Sequence, residues 1–392
     1  MKKNFCDIIK KRKEKEGIYE KREKKKIIDS AIQLFSQKNY EAVSIVEICR
    51  NAEVSNGIFY TYFKDKTDLF CFLLQETSVR INAYFQNIEG NSIFERLTSF
   101  IKINLSLTKE EFPLIKVYRE GQYKFLEYEK NLKLVYHEAL EKVYQRPLDK
   151  YEHFFLMSGI RYINIFYTTK ELTVDVPFLA KTLLYGLSEP LKLNISELDD
   201  SSFYLRVPFN SSNIRCTFLN SGLEILKTTS FSSFRIQDLV EKVNLSTGTF
   251  YNYFRDKEDF LKIILFRIRK QVFYFLKDNY RQEQTTLDNY LTFLYLLFEY
   301  YKDSPFKYSL IRELELIYPK VYSQFVEEDI HFYIKNLLGD LFLNFQKKQL
   351  IAVLLLGYSH YMGIDFFYTG NFTKRDLFLK NLLFYLQNGI EE

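Results

Sequence analysis

Two stretches of the chain set the same side chains at the same spacing. From Val54 to Asp68 the sequence reads VSNGIFYTYFKDKTD, and from Leu245 to Asp259 it reads LSTGTFYNYFRDKED, nine of fifteen positions being identical at an offset of 191 residues. Each opens on compact residues (Ser55, Asn56, Gly57 and Ile58; Ser246, Thr247, Gly248 and Thr249) and continues into hydroxyl, amide and ammonium groups (Tyr60, Thr61, Tyr62 and Lys66; Tyr251, Asn252, Tyr253 and Lys257). Tyrosine hydroxyls and lysine ammoniums donate to phosphate oxygens, and a helix that begins with short side chains can approach base edges in the major groove. The chemistry this pattern supports is hydrogen bonding to double-stranded DNA.

Bond-making chemistry finds no comparable pattern. The chain has no phosphate-cradling glycine loop, no G-x-S-x-G and no His-Glu-x-x-His. Its four histidines (His137, His153, His331, His360) and four cysteines (Cys6, Cys49, Cys71, Cys216) are scattered, without metal-ligand or redox spacing. We therefore expect no enzyme, no cofactor and no metal. The cysteines suit a reducing cytoplasm.

The motifs need helices to hold them. Lys26 to Phe35 carries Ile27, Ile28, Ala31, Ile32, Leu34 and Phe35 at helical spacing, and Asn39 follows as a residue able to end that helix in the left-handed conformation. Ser44 can cap a short second helix that points Ile48 and Cys49 inward, and Ser55 a third running to Phe63. Phe59 and Phe63 lie four apart on the third helix and should face the first two, which turns Gly57, Tyr60 and Thr61 outward. Asp65, with Asp68 three residues on, has the spacing of a capping box for a fourth helix. The tight turn between the second and third helices makes a helix-turn-helix.

With 392 residues the chain is too long for one ordinary core, and with 13 glycines and 7 prolines its elements should be long and helical. The repeat explains the length. Apolar positions upstream also match (Ile27/Phe218, Leu34/Ile225, Tyr40/Phe231, Ile48/Leu239), and a proline followed by an apolar run and Arg-Glu recurs as Pro113 to Arg119-Glu120 and Pro305 to Arg312-Glu313. We expect an all-α chain of two tandem units: a basic arm (1–21), a first helix-turn-helix domain (22–70), a helical regulatory domain (71–195), a linker (196–213), a second helix-turn-helix domain (214–261) and a second regulatory domain (262–392). From Met1 to Lys26 twelve bases face five acids, a local +7 in a chain of net +5, which marks a polyanion contact. No apolar run follows these lysines as in a secretory signal, and the apolar stretch Leu350 to Tyr368 holds Ser359, His360 and Asp365, so a core helix is expected there and no membrane span.

These residues resemble the DNA-binding domain of the TetR-like (tetracycline-repressor) family. The resemblance lies in Val54-Ser55-x-Gly57-x-Phe59-Tyr60-x-Tyr62-Phe63-x-x-Lys66-x-x-Leu69 and again in Leu245-Ser246-x-Gly248-x-Phe250-Tyr251-x-Tyr253-Phe254-x-x-Lys257-x-x-Phe260. It implies that Tyr60, Lys66, Tyr251 and Lys257 contact phosphates and that positions 56–58 and 247–249 read bases. It also implies helical regulatory domains with an inducer pocket and a dimerising four-helix bundle, hence a ligand-responsive repressor. Glu53 departs from the glycine usual in the turn, while Asn244 fits it; Arg235 stands where Ser44 caps, and the second copy lacks a basic arm, so it should grip DNA more weakly.

Two copies in one chain could form an intrachain pseudo-dimer on an asymmetric operator, its bundle built from 147–169 with 176–187 and 345–368 with 372–386. A homodimer of tandem chains is the alternative. The aromatic wealth of the regulatory regions could line a pocket for a small apolar or aromatic inducer, with Tyr118, Arg119 and Arg312 as candidate ligand contacts, although an internal ion pair is the simpler role for each Arg-Glu. A ligand-binding or interaction scaffold with degenerate motifs is the competing function. Replacing Asn56 should relax sequence preference, whereas replacing Lys66 should weaken all sequences alike and lower the salt slope by about 1, as binding titrations over salt would read.

Overall fold

A computed structural model describes residues 21–391 apart from 171, 199–202, 205–212, 232, 284, 340, 342 and 368. The basic arm up to residue 20 and most of the 196–213 linker therefore lie outside the described residues. The described chain is all-α, as expected, with no strand. It divides into two compact units, one running to Leu148 with the short stretch at 167–171, the other holding Asp149–Phe166 and everything from Leu172 onward.

The first unit begins with α1 (21–37), whose Ile27, Ala31, Leu34 and Phe35 are buried at the expected spacing. Asn39 does not end α1 in the left-handed conformation. At φ −66° and ψ 159° it caps a 3-10 turn at Tyr40–Ala42, its side chain accepting from the Ala42 amide. That use of Asn as a cap satisfies a donor that the turn would otherwise leave orphaned. Then come α2 (Ile45–Asn51), α3 (Asn56–Tyr62), α4 (Lys66–Phe85), α5 (Ile93–Glu110), α6 (Phe112–Lys124) and α7 (Leu126–Tyr144). Ser44, Ser55 and Asp65 accept from the amides of Glu47, Ile58 and Asp68, the three caps expected. The Asp68 carboxylate reaches the Lys64 amide, one residue ahead of the cap. The capping box is thus displaced by one position.

The second unit repeats this order with α10 (Ile214–Ile225), α11 (Ile236–Lys242), α12 (Thr247–Tyr251), α13 (Lys257–Asn279), α14 (Thr286–Lys302), α15 (Pro305–Ile317) and α16 (Pro319–Phe332). A single core joins its helix-turn-helix to the regulatory helices: Phe218, Phe231, Phe234, Phe250, Phe254 and Phe260 pack with Leu310 and Leu314 of α15. The unit also contains α8 (Lys150–Thr169) and α9 (Val176–Tyr185), with α17 (Phe345–Phe367) and α18 (Arg375–Asn388). The contact pattern therefore divides the chain ahead of α8, although the repeat places α8 and α9 in the first half of the sequence. The physical reason is packing. A Cβ on Gly357 of α17 would come within 2.9 Å of the Ser158 carbonyl oxygen on α8, and Phe155 stacks on Tyr358 at 5.5 Å. Helix α17 is long and apolar enough to cross a membrane, but 78% of that apolar window is buried, as the polar residues in it led us to expect.

The turns between α2 and α3 and between α11 and α12 share one conformation. Glu53 has φ 55° and Asn244 φ 53°, the left-handed region where a side chain on Cβ is strained and where Asn is tolerated better than Glu. Glu53→Gly should stabilise the first unit by up to about 1 kcal/mol, and Asn244→Val should destabilise the second by about 1–2 kcal/mol. Thermal unfolding of the two variants checks the pair.

Candidate nucleic-acid interface

Each short reading helix is held from beneath and left open above. Phe59 is fully buried and Phe63 nearly so, as are Phe250 and Phe254, and they fix the inner face of α3 and α12. On the other face Ser55, Asn56, Gly57, Tyr60 and Thr61 are exposed, as are Ser246, Thr247, Gly248, Tyr251, Asn252 and Tyr253; Ile58, Tyr62 and Thr249 are half-buried. The structure thus brings the expected residues of each motif onto one solvent-facing surface. Tyr60 is 59% exposed and Tyr251 52%, large values for aromatic side chains. Each ring meets the buried phenylalanine beside it edge-on, at 5.4 Å for Phe59 and 5.3 Å for Phe250, so the two hydroxyls are presented in the same way.

Some polar groups at the surface have local partners. The Ser55 and Ser246 hydroxyls accept from the Ile58 and Thr249 amides. The Thr61 hydroxyl donates to the Gly57 carbonyl, and the Thr249 and Ser246 hydroxyls lie 2.9 Å apart. These bonds orient the side chains. Asn56 and Thr247 stand at the first position of each helix, and a Cβ on Gly57 or Gly248 would meet only the cap serine, at 3.8 and 3.6 Å. Glycine is therefore not demanded by the fold at these two positions, and it leaves the start of each helix open to close approach.

Lys66 has a different environment from the one its motif implied. Its ammonium donates to the carbonyls of Tyr40 and Val43, each at 2.9 Å, and lies 4.2 Å above the Tyr40 ring. Two of its three donors hold the turn ahead of α2, which leaves one N–H for an outside acceptor. Lys257 is half-buried, and burial lowers its pKa below that of an exposed lysine. Around the motifs the copies differ: Lys64 is exposed, whereas its counterpart Arg255 pairs with Asp256. Arg235, at the cap of α11, makes no side-chain cap bond and pairs with Asp238 instead. Lys24 of α1, which the sequence marked only as one of the amino-terminal bases, extends over the Phe72 ring at 4.7 Å.

The ligand candidates fare differently. Tyr118 is buried and its hydroxyl donates to the Tyr128 carbonyl at 2.6 Å, so its proton is committed to an internal bond. Arg119 is half-buried, and the side chain of Arg312 lies outside the described residues. A charged cleft of about 500 Å³ lies elsewhere, lined by Phe298, Glu299 and Lys302 of α14 and by Lys374, Arg375, Asp376 and Leu377.

Comparison with known proteins agrees with this geometry. The model of the amino-terminal domain of bacterial regulatory proteins of the tetR family matches residues 27–71 and again 218–264. Two such domains in one chain support a tandem TetR-like regulator. Among its relatives are the HTH-type transcriptional regulator YuxN of Bacillus subtilis, 41% identical over 54 residues (14% of this chain, 19% of YuxN), and the TetC protein of transposon Tn10 from Escherichia coli, 34% identical over 100 residues (23% of this chain, 51% of TetC). The chain spans about half or less of the length of these curated relatives. A solved structure of the transcriptional regulator FadR from Bacillus subtilis, in complex with stearoyl-CoA, is 21% identical, with a TM-score of 0.33, covering 40% of this chain and 93% of FadR. The relatives are transcriptional regulators and not enzymes.

Tyr60→Phe keeps the buried edge contact and removes only the hydroxyl. It should weaken DNA binding about fivefold without changing the melting temperature. Lys66→Met should lower the melting temperature as well, because two carbonyls lose their donor. Unchanged melting of Lys66→Met alongside a reduced salt slope would assign the ammonium to DNA alone.

Proposed function

We propose that this TetR-like chain is a sequence-specific transcriptional regulator that grips one operator with both of its motifs, as an intrachain pseudo-dimer. The observation that carries the reading is a reciprocal junction between helices from the two sequence repeats. At the end of α9, Gly186 has φ 68°; at the end of α18, Gly389 has φ 72°. The Leu187 amide donates to the Leu386 carbonyl at 2.8 Å, and the Ile390 amide to the Leu183 carbonyl at 3.0 Å. Every partner has its counterpart at one constant sequence spacing, the relation that a two-fold axis imposes on an isologous interface. A Cβ on Gly186 would come within 2.3 Å of the Gln387 oxygen, and one on Gly389 within 2.1 Å of the Leu184 oxygen.

Around this junction α8 packs against α17 and α18 through Phe154 and Phe155, with ring centroids 4.8 Å apart for Phe154 and Phe378, and α9 packs against α18. A four-helix bundle made by one chain replaces the interface that two chains would otherwise supply. Its two motifs would occupy half-sites about 34–36 Å apart along the duplex. Because the readers differ, Asn56 and Ile58 against Thr247 and Thr249, the operator is asymmetric. Asn suits adenine, and Ile or a Thr methyl suits the thymine methyl. The buried aromatics of the regulatory helices support a response to a small apolar or aromatic inducer, and the place of action is the cytoplasm.

Light scattering on the purified protein should give a particle near its chain mass of 47.2 kDa; one of about 94 kDa would replace the pseudo-dimer by a dimer of tandem chains. Selection of bound DNA should return sites with unlike halves, and perfect palindromes would contradict the reading. No gel shift on the upstream DNA of its own gene at low salt would favour the scaffold. Gly389→Val should lower stability by about 2–3 kcal/mol, because both the positive φ and the close carbonyl oppose a side chain.

A further inference from the structure

The repeated Arg-Glu pair has a second life in the fold. In the first unit the Glu120 carboxylate of α6 accepts the backbone amide of Tyr40 at 2.8 Å; in the second, the Glu313 carboxylate of α15 accepts the backbone amide of Phe231 at 3.1 Å. Tyr40 and Phe231 are matched residues of the repeat, and so are the two glutamates. Each amide opens the turn that precedes the first helix of its helix-turn-helix, where helical N–H groups have no partner within the chain segment itself.

We infer that Glu120 and Glu313 are positioning residues, each setting the angle of its own DNA-binding motif against its own regulatory helix. The inference rests on the DNA-binding reading above. Three observations carry it. First, the bond is charge-assisted and partly dry, Glu120 being 7% exposed, so the carboxylate is held to that amide more firmly than a surface acid would be. Second, the surrounding turn is closed by a matching device in both copies: the Asn39 side chain accepts from Ala42, and the Ser230 hydroxyl accepts from Ser233. A local cap plus a distant carboxylate thus recurs in two sequences that have otherwise diverged. Third, the helix bearing the carboxylate is seated closely. A Cβ on Gly121 would lie 2.4 Å from the Leu74 side chain on α4, and the matching residue Leu314 is fully buried.

In the first unit the backbone of one residue is gripped from both sides. The Tyr40 amide donates to α6 through Glu120, while the Tyr40 carbonyl accepts from α4 through Lys66. The Tyr40 hydroxyl lies 2.9 Å from the Thr67 hydroxyl. A shift of α6 relative to α4 must therefore displace this turn, and with it the start of α2. Each motif in the chain has its own link, so the two can be disturbed one at a time.

The test compares Glu120→Ala, Glu313→Ala and the conservative Glu120→Gln and Glu313→Gln, whose side-chain oxygen still accepts a hydrogen bond. Hydrogen–deuterium exchange of the whole protein should speed up about fivefold at residues 38–43 in Glu120→Ala and at residues 229–234 in Glu313→Ala, with the other copy unchanged and the Gln variants close to wild type. On an operator fragment the two Ala variants should each lose protection over one half-site, and over opposite halves. Unchanged exchange in both Ala variants overturns the link. So does loss of both half-sites together, or a local speeding of exchange with the footprint intact, for then the bond stabilises without positioning. If the wild-type protein protects no DNA, the proposed function falls, while the exchange comparison still decides the link.

Discussion

A helix of five or seven residues does not hold itself together in water, because nucleation costs more than so few backbone bonds return. Helices α3 and α12 are both of that size, so what holds them in place is the apolar anchoring of one side chain each, Phe59 and Phe250, fully buried beneath them. The rest of each motif follows from that anchor. A serine cap satisfies the first amides, a second phenylalanine four residues on closes the end, and the outward face is left out of the core. The first three helices of each copy, and the first turn of the regulatory helix, exist to keep that phenylalanine dry.

This division of labour explains which parts were legible in the sequence. Caps, buried phenylalanines and the exposure of Tyr60 and Tyr251 depend on residues within four positions of one another, and the repeat displayed them twice. The positive φ of Glu53 and Asn244 was foreshadowed by Asn244 alone, since Asn tolerates that conformation and Glu gives no hint of it. Asn39 showed the opposite failure. Its tolerance of left-handed backbone suggested a helix end, but its side-chain oxygen found an amide three residues on, and that bond won.

Long-range partners were hidden. Nothing local to Lys66 says that its ammonium will turn toward carbonyls 23 and 26 residues earlier in the chain. The Arg-Glu pair was visible as a repeated feature, yet its meaning depended on an amide 80 residues away. The repeat itself contained the clue, because a charged residue kept at matched places in two diverged apolar helices needs a common partner, and matched backbone is the one partner that divergence cannot alter. The assignment of α8 and α9 to the second compact unit was hidden for the same reason, as it rests on contacts made with helices nearly 200 residues downstream.

The paired glycines at the ends of α9 and α18 have a consequence for how such a chain can change over generations. Where two identical chains meet, one codon supplies both glycines, and every substitution elsewhere is imposed on both halves at once. Here two codons must each keep glycine, so the junction is twice as exposed to mutation. In exchange, every other position is released from having to match itself across an axis. Since the junction is made of backbone atoms, the side chains around it can drift apart, and α3 and α12 can each change without a matching change in the other.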